Sequence, residues 1–292
     1  LRRRSGRAAS RAILHRAYQL GKTAAKEMAI KQPLGEFQLK DMNNRWNHWF
    51  NIHQYNKLPW RRYIELCQSF FSGVSSESKI AAEDYLLLPT DKTVSVVVNA
   101  MNEEHTIAMV LKQLKRLPFH EVIIVINGTH DATYEIVRNN SKAIVLHFNE
   151  PLGHDVGRAL GAKISRSDIL LFLDGDIPIN AEQLLPFIGA VDSGLDVALN
   201  RITPYLQNFS KRDGVTIVKQ LLNRVLGRAD LGADSLTAIP HALSRKAIET
   251  IGHVNLVVPP KAQAIAIKKG LSVGAPAGVN VVTNNRLRKT NI

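Results

Sequence analysis

Two carboxylates one residue apart, Asp174 and Asp176, end a run of five apolar residues, Ile169 to Leu173. A short, uninterrupted apolar run of this kind suits a strand buried on both faces of a parallel sheet. Ligands of such sheets bind outside the carboxyl ends of the strands, where these acids fall. Residues i and i+2 of an extended chain project to one side, and Gly175 between them lets backbone approach a ligand closely. Adjacent carboxylates repel unless a cation joins them, and a hard divalent ion carrying phosphate oxygens meets that need. The chemistry implied is phosphate handling with a hard divalent cation. The same tripeptide also occurs as a plain solvated turn, so its surroundings decide.

Those surroundings are a βαβ series starting at a composition boundary near Pro89 to Lys92. Val94 to Val98 reads as a first strand, with Asn102 as N-cap of a helix reaching about Arg116. Glu121 to Ile126 is a second strand, Asp131 to Asn139 a short helix, and Ala143 to Phe148 a third strand. A helix from about His154 to Ser165 leads to the strand ending at Asp174. Asn180 caps a further helix, and Val197 to Leu199 resumes the sheet. Weaker signals place a helix at Val215 to Leu226, a strand at Ala238 to Leu243 and a helix at Ser244 to Ile251. Another helix follows at Pro260 to Lys269, and a last strand near Asn280 to Thr283. The class expected is an α/β, Rossmann-like open sheet over residues 93–292.

Residues 1–92 read as a helical basic extension. They hold 16 Lys and Arg against 8 Asp and Glu, whereas residues 93–292 hold 22 against 17; the whole chain carries +13. Such a charge favours a polyanionic partner: nucleic acid, an anionic membrane surface or a phosphorylated substrate. Ile13, Ala17, Leu20, Ala24 and Met28 share one helical face, opposite Arg7, Arg11, Lys22 and Lys26. Such a helix can lie on an anionic membrane or dock on protein, and its alanine-rich face favours docking. All three tryptophans fall within residues 46–60, among Phe50, Tyr55, Tyr63, Phe70 and Phe71 and the bases Arg45, His48, Lys57, Arg61 and Arg62. Aromatics mixed with bases can form a stacking platform for single strands, but they more commonly form a small core with a basic rim. Nucleic acid is therefore not the expected partner. The single cysteine, Cys67, forms no internal disulfide, and no apolar run nears the ~20 residues of a membrane span. The expected location is cytoplasmic, peripheral at the inner face of the membrane.

Four strand-end segments fall in order: NAMNEE (Asn99 to Glu104), NGTHDAT (Asn127 to Thr133), EPLGHDVGRALGA (Glu150 to Ala162) and DGD. The series resembles the family 2 nucleotide-sugar glycosyltransferases with the GT-A fold. Asn102-Glu103 matches the family's first turn, and Gly128 to Thr133 its second. Gly153, Arg158 and Gly161 match the spacing of its Gly-x4-Arg-x2-Gly helix, with Gly161 lying 13 residues before Asp174. The match runs from about Thr93 to Gly270. It implies a hexosyl transfer from a nucleotide sugar, in particular a UDP-sugar, to a glycan, lipid-linked or protein acceptor, as in building a cell envelope or surface glycan.

The resemblance assigns roles. Asn99, Met101 and Glu103 from one turn and Asn127 and Asp131 from the next would line a base pocket. Gly153 would admit the nucleotide, and Arg158 would pair with phosphate or orient a carboxylate. Asp174 would reach ribose or metal, and Asp176 would hold the ion, Mn²⁺ or Mg²⁺. Three departures stand out. Asn99 replaces the usual proline, and Asn127 replaces an acid on the base edge. The Glu-Asp pair that opens the acceptor-side helix is missing, its place falling near Val258-Pro259. Without that general base, Asp234 is the first substitute and His253 a second; alternatively the enzyme retains configuration and the leaving phosphate takes the proton. His241 and His253 are also candidate metal ligands, though packing or surface positions suit both better.

Two other classes compete. A sugar-nucleotide pyrophosphorylase opens with a glycine-rich loop after its first strand, and NAMNEEHT has no glycine. A degenerate, non-catalytic domain acting as a polyanion- or membrane-binding module is kept open by the missing Glu-Asp pair.

Overall fold

The computed structural model describes residues 2–30, 34–53, 58–82, 84–208 and 212–282, with side chains from residue 11 onward. Tyr55, Lys57, Thr283, the basic tail at Arg286, Arg288 and Lys289, and the side chain of Arg7 lie outside the described residues. The chain forms two compact units: Leu1–Asp91 with Leu114–Pro118, and Lys92–Gln113 with Phe119–Ile292.

The first unit is helical: α1 (Arg2–Glu27), α2 (Glu36–Ile52) and α3 (Trp60–Ser78). Small residues let α1 and α3 touch backbone to backbone. A Cβ on Gly21 would lie 1.9 Å from the Phe70 carbonyl oxygen, and one on Gly73 2.0 Å from that of Tyr18. Ala17, Ala24 and Ala25 are buried, while Arg11, Lys22 and Lys26 stay in solvent. From residue 11 onward these alanines of α1 therefore pack on protein, where α1 meets α3.

Trp46, Tyr63, Phe70 and Phe71 are fully buried. The Trp46 indole N–H donates to the Tyr63 hydroxyl (3.0 Å), which donates to the Leu87 carbonyl (2.9 Å). Rings enclosed in this way cannot stack on nucleotides, which requires exposed faces. Cys67 lies among them, its thiol pushed up to about 12 by burial. Leu86 N–H donates to Arg116 C=O (2.9 Å), which ties residues 114–118 to this unit. The boundary read from composition did not include them.

The second unit is built on one mixed sheet. In chain order its elements are β1 (Val94–Ala100), α4 (Ile107–Leu114), β2 (Glu121–Asn127), α5 (Thr133–Asn140), β3 (Ile144–Phe148), α6 (Val156–Ile164) and β4 (Ile169–Asp174). They continue as α7 (Ala181–Asp192), β5 (Val197–Asn200), α8 (Gly214–Val225), β6 (His241–Ser244), α9 (Arg245–Ile251), α10 (Pro259–Lys268) and β7 (Val273–Ala277). The strand order is β3-β2-β1-β4-β6-β5-β7. All neighbours are parallel except β6, which is antiparallel to β4 and β5. The apolar runs of β1, β2 and β4 are buried along almost their whole length, as strands covered on both faces must be.

Two expectations fail locally. Asn102 is not a helix N-cap: it sits at φ 56°, and its side chain accepts from His130 N–H (2.9 Å), so the helix starts only at Ile107. The last strand is Val273–Ala277 rather than one near Asn280. It is an edge strand, and an edge tolerates the glycine and proline of VGAPA, residues that hide a strand pattern.

Candidate functional site

The cleft forms where the parallel strands end. Register places Asn99 beside Asp174, and Gly175 N–H donates to Asn99 C=O (2.8 Å), so β4's acids stand next to β1's turn. Asn99, Met101, Glu103, Asn127, His154, Asp174 and Asp176 line an open hollow of about 350 Å³. A Cβ on Gly175 would come within 3.0 Å of Ala100 Cβ and 3.3 Å of Glu103 Cγ, so its absence permits this close approach of the two turns.

The turns after β1 and β2 are laced together. Glu103 N–H donates to Thr133 Oγ1 (2.7 Å), Glu104 N–H to Asp131 Oδ2 (3.1 Å) and Asn102 N–H to Thr129 Oγ1 (3.2 Å). Asp131 thus clamps turns and does not line the cleft. Burial opposes its charge, but bonds from Thr133 and Glu104 outweigh that and hold its carboxyl below the usual range.

The asparagines that replace the family's residues hold a loop. Asn127 Nδ2 donates to Gly153 C=O (2.7 Å), and its Oδ1 accepts from Leu152 N–H (2.7 Å). Asn99 Nδ2 donates to His154 C=O (2.8 Å). The Asn127 amide is spent at both ends on residues 152 and 153 and so clips the loop, whereas Asn99 gives only its NH2 to the loop and keeps a buried Oδ1 without a hydrogen-bond partner. Gly153, at φ 117°, completes the turn. The loop carries His154 into the cleft, a residue that the sequence presented only as the polar start of a helix.

Arg158, nearly buried, faces two carboxylates. Its Nη1 lies 2.7 Å from Asp155 Oδ1, and its Nη2 lies 3.4 Å from each Asp174 oxygen. It also donates to Leu236 C=O (3.3 Å). Arg158 therefore stands between the loop acid Asp155 and the strand-end acid Asp174. One guanidinium serves two acids: burial, then the negative Asp174, raises the Asp155 carboxyl against the pull of Arg158 and His154. Lys219 on α8 lies within electrostatic range of Asp155 and Arg158, and burial pushes its ammonium down. No sequence motif marked it.

Asp234 is placed differently from the expectation. It is buried, and its Oδ1 accepts from Ile202 N–H (2.9 Å), Thr203 N–H (2.9 Å) and Thr203 Oγ1 (2.7 Å). Through that oxygen Asp234 organises a loop, and it is not among the residues that line the cleft. His241 is buried and stacked on Phe172 at 5.1 Å, with its imidazole lowered to about 3 by burial. His253 lies in a short 3-10 turn, His253–Val257, away from the cleft lining.

Among the described residues no group of three His, Cys, Asp or Glu side chains is arranged to hold a metal. The donor set still fits a hard ion. Three carboxylate-bearing residues, Glu103, Asp174 and Asp176, line one open hollow, and Mg²⁺-type ions take one or two protein carboxylates and complete their shell with phosphate and water.

The sequence model of glycosyl transferase family 2 matches residues 95–250, more than half of the chain, and the chain belongs to that family. It is 32% identical over 105 residues to a 4,4'-diaponeurosporenoate glycosyltransferase of Staphylococcus haemolyticus, covering 34% of this chain and 28% of that protein. It is 27% identical over 116 residues to an undecaprenyl-phosphate 4-deoxy-4-formamido-L-arabinose transferase of Aeromonas hydrophila, covering 36% of each. The matches thus span about a third of those relatives' lengths. Glucosyl-3-phosphoglycerate synthase of Mycobacterium tuberculosis, solved with Mn²⁺, UDP and phosphoglyceric acid, shares the fold at TM-score 0.53 and 18% identity, over 69% of this chain and 73% of that one. The same enzyme with Mg²⁺ and UDP gives 0.50 at 16% identity, over 69% and 74%.

Proposed function

We propose that this chain transfers a sugar from a nucleotide donor, a UDP-sugar, to a lipid-linked acceptor with the help of a divalent cation, at the cytoplasmic face of a membrane. The observation that carries this reading is the convergence of four separate turns on one hollow, with Asp174 and Asp176 at its edge. UDP and Mn²⁺ or Mg²⁺ are supported by the complexes of the M. tuberculosis enzyme, and a lipid-linked acceptor by the polyprenyl-phosphate relatives.

Each side chain has a task in this reading. Glu103 and Met101 border the nucleoside. The loop clipped by Asn99 and Asn127 brings His154 alongside. Arg158 holds Asp174 in place, and Asp176, with Asp174, would hold the cation. The cation offsets charge that builds on the departing diphosphate as the sugar becomes oxocarbenium-like.

The test is a panel of nucleotide sugars, scored for binding and slow hydrolysis with Mn²⁺ and with chelator. UDP-sugar binding should need the metal. Asp176→Asn should weaken donor binding or turnover at least tenfold, about 1.4 kcal/mol, with the fold intact. Full turnover in that variant or in excess chelator would remove the reading.

A further inference from the structure

Helix α8 is built inside out. Its only fully buried residues are polar, Thr216 and Asn223. Asn223 Nδ2 donates to the carbonyls of Gly232 and Asp234 (both 3.0 Å), and its Oδ1 accepts from Gln263 of α10 (2.6 Å). Those bonds fix which side faces the protein. On the opposite side Val215, Val218, Leu221 and Val225 are 65%, 63%, 57% and 75% exposed. They recur at intervals of three and four, so they form one continuous stripe. A helix that satisfies its polar residues inward and leaves aliphatic ones in water needs something apolar to cover them.

Two further features say what the cover is. Val254, Val257 and Val258, 64%, 36% and 50% exposed, lie just before and at the cap of α10, the helix that Gln263 ties to α8. They occupy the place where the family's acidic Glu-Asp pair is missing, so a position expected to be charged is apolar. The helix also carries exposed Arg224, and the chain as a whole carries +13. Aliphatic residues beside an exposed base on a strongly basic chain complement an anionic bilayer in both respects.

We propose that the outer face of α8 docks this protein on an anionic lipid bilayer, with Val215, Val218, Leu221 and Val225 among the acyl chains and Arg224 at headgroup level. This goes beyond the transferase reading and replaces α1 with α8 as the membrane-facing helix. Lys219, near Arg158 and Asp155, stands on the same helix. If the transferase reading holds, a lipid-borne acceptor would reach the site beside its own docking surface.

The test is flotation of the full chain with vesicles of phosphatidylcholine alone and of phosphatidylcholine with phosphatidylglycerol. The wild type should bind the anionic vesicles and bind the neutral ones at least tenfold more weakly. The double variant Val218→Glu/Leu221→Glu should lose at least tenfold in anionic-vesicle binding. Both positions face solvent, so folding should survive, and unchanged circular dichroism checks this. UDP binding with Mn²⁺, measured in parallel, keeps the two readings apart: vesicle binding without UDP binding sinks only the transferase reading. Docking fails if the double variant floats like wild type, or if the wild type ignores anionic vesicles. It also fails if the stripe holds a concentration-dependent dimer that the variant dissolves, since a second copy would then be the cover.

Discussion

The two sides of the sheet use their strand ends in opposite ways. On the β3-β2-β1-β4 side, polar side chains surround a hollow, and even those that are hydrogen-bonded hold up its wall. On the β6-β5-β7 side, polar side chains bond to one another and to backbone. Asn200 donates to Ile239 C=O (2.6 Å) and Val279 C=O (3.0 Å) and accepts from Val279 N–H (2.8 Å), while Asp234 holds Ile202 and Thr203. A carboxylate at a strand end thus faces an open hollow on one side and holds a loop on the other. Residue type alone does not distinguish them; the number of protein hydrogen bonds already accepted does.

Arg158 stands at the boundary and should give the largest effect. Arg158→Met leaves Asp155 and Asp174 without their shared cation. Breaking a buried ion pair from one side costs about 3–5 kcal/mol. Urea unfolding should show that loss in the second unit, and an unchanged midpoint would mean the two acids do not depend on it.

Next is Asp234, where the comparison is most exposed to failure. Asp234→Ala removes the acceptor of three bonds, leaves buried donors unpaired and should destabilise the unit by about 1–3 kcal/mol. Asp234→Asn keeps an oxygen in place, and turnover per folded molecule should be nearly unchanged. A hundredfold fall in turnover with normal stability would return Asp234 to the role of base and erase the distinction between the two sides.

His241 comes last, its effect read as a pH signature. Folded, its imidazole is held down to about 3 by burial, with the Arg158 charge adding to this. An unfolded histidine titrates near ~6.5. Between those values the unfolded chain binds a proton that the folded chain refuses. This contribution is therefore complete above about pH 6.5 and is lost as pH falls toward 3, by up to about 1.4 kcal/mol per pH unit. His241→Leu should flatten that acid limb, measured as urea midpoints across the range. An unaltered slope would show that other groups set it.

The same contrast explains what was legible in the sequence. The parallel side announces itself: apolar runs stop on Asn, Gly and Asp, and four turns with recognisable spacing reveal both the strands and the hollow. His154 escaped because its task depends on Asn99 holding its carbonyl, a contact 55 residues away in sequence. On the other side the signals fade. β7 is written in Gly, Ala and Pro, and the period of α8 reports a two-faced helix without saying which face is inside. Only Asn223 and Gln263, meeting across 40 residues, settle that. Asp234 looked like a candidate base because its three donors come from a segment some 30 residues earlier. Long-range satisfaction of polar groups leaves no periodic trace.

The aromatic core of the helical unit has an optical consequence. Trp46, Trp49 and Trp60 are the chain's only tryptophans, and residues 92–292 hold no aromatic hydroxyl beyond Tyr134 and Tyr205. Indole emission therefore reports the first unit alone, while the sheet that carries the hollow is dark when excited at the red edge. Loss of that emission during unfolding times the helical unit separately from the circular dichroism of the whole.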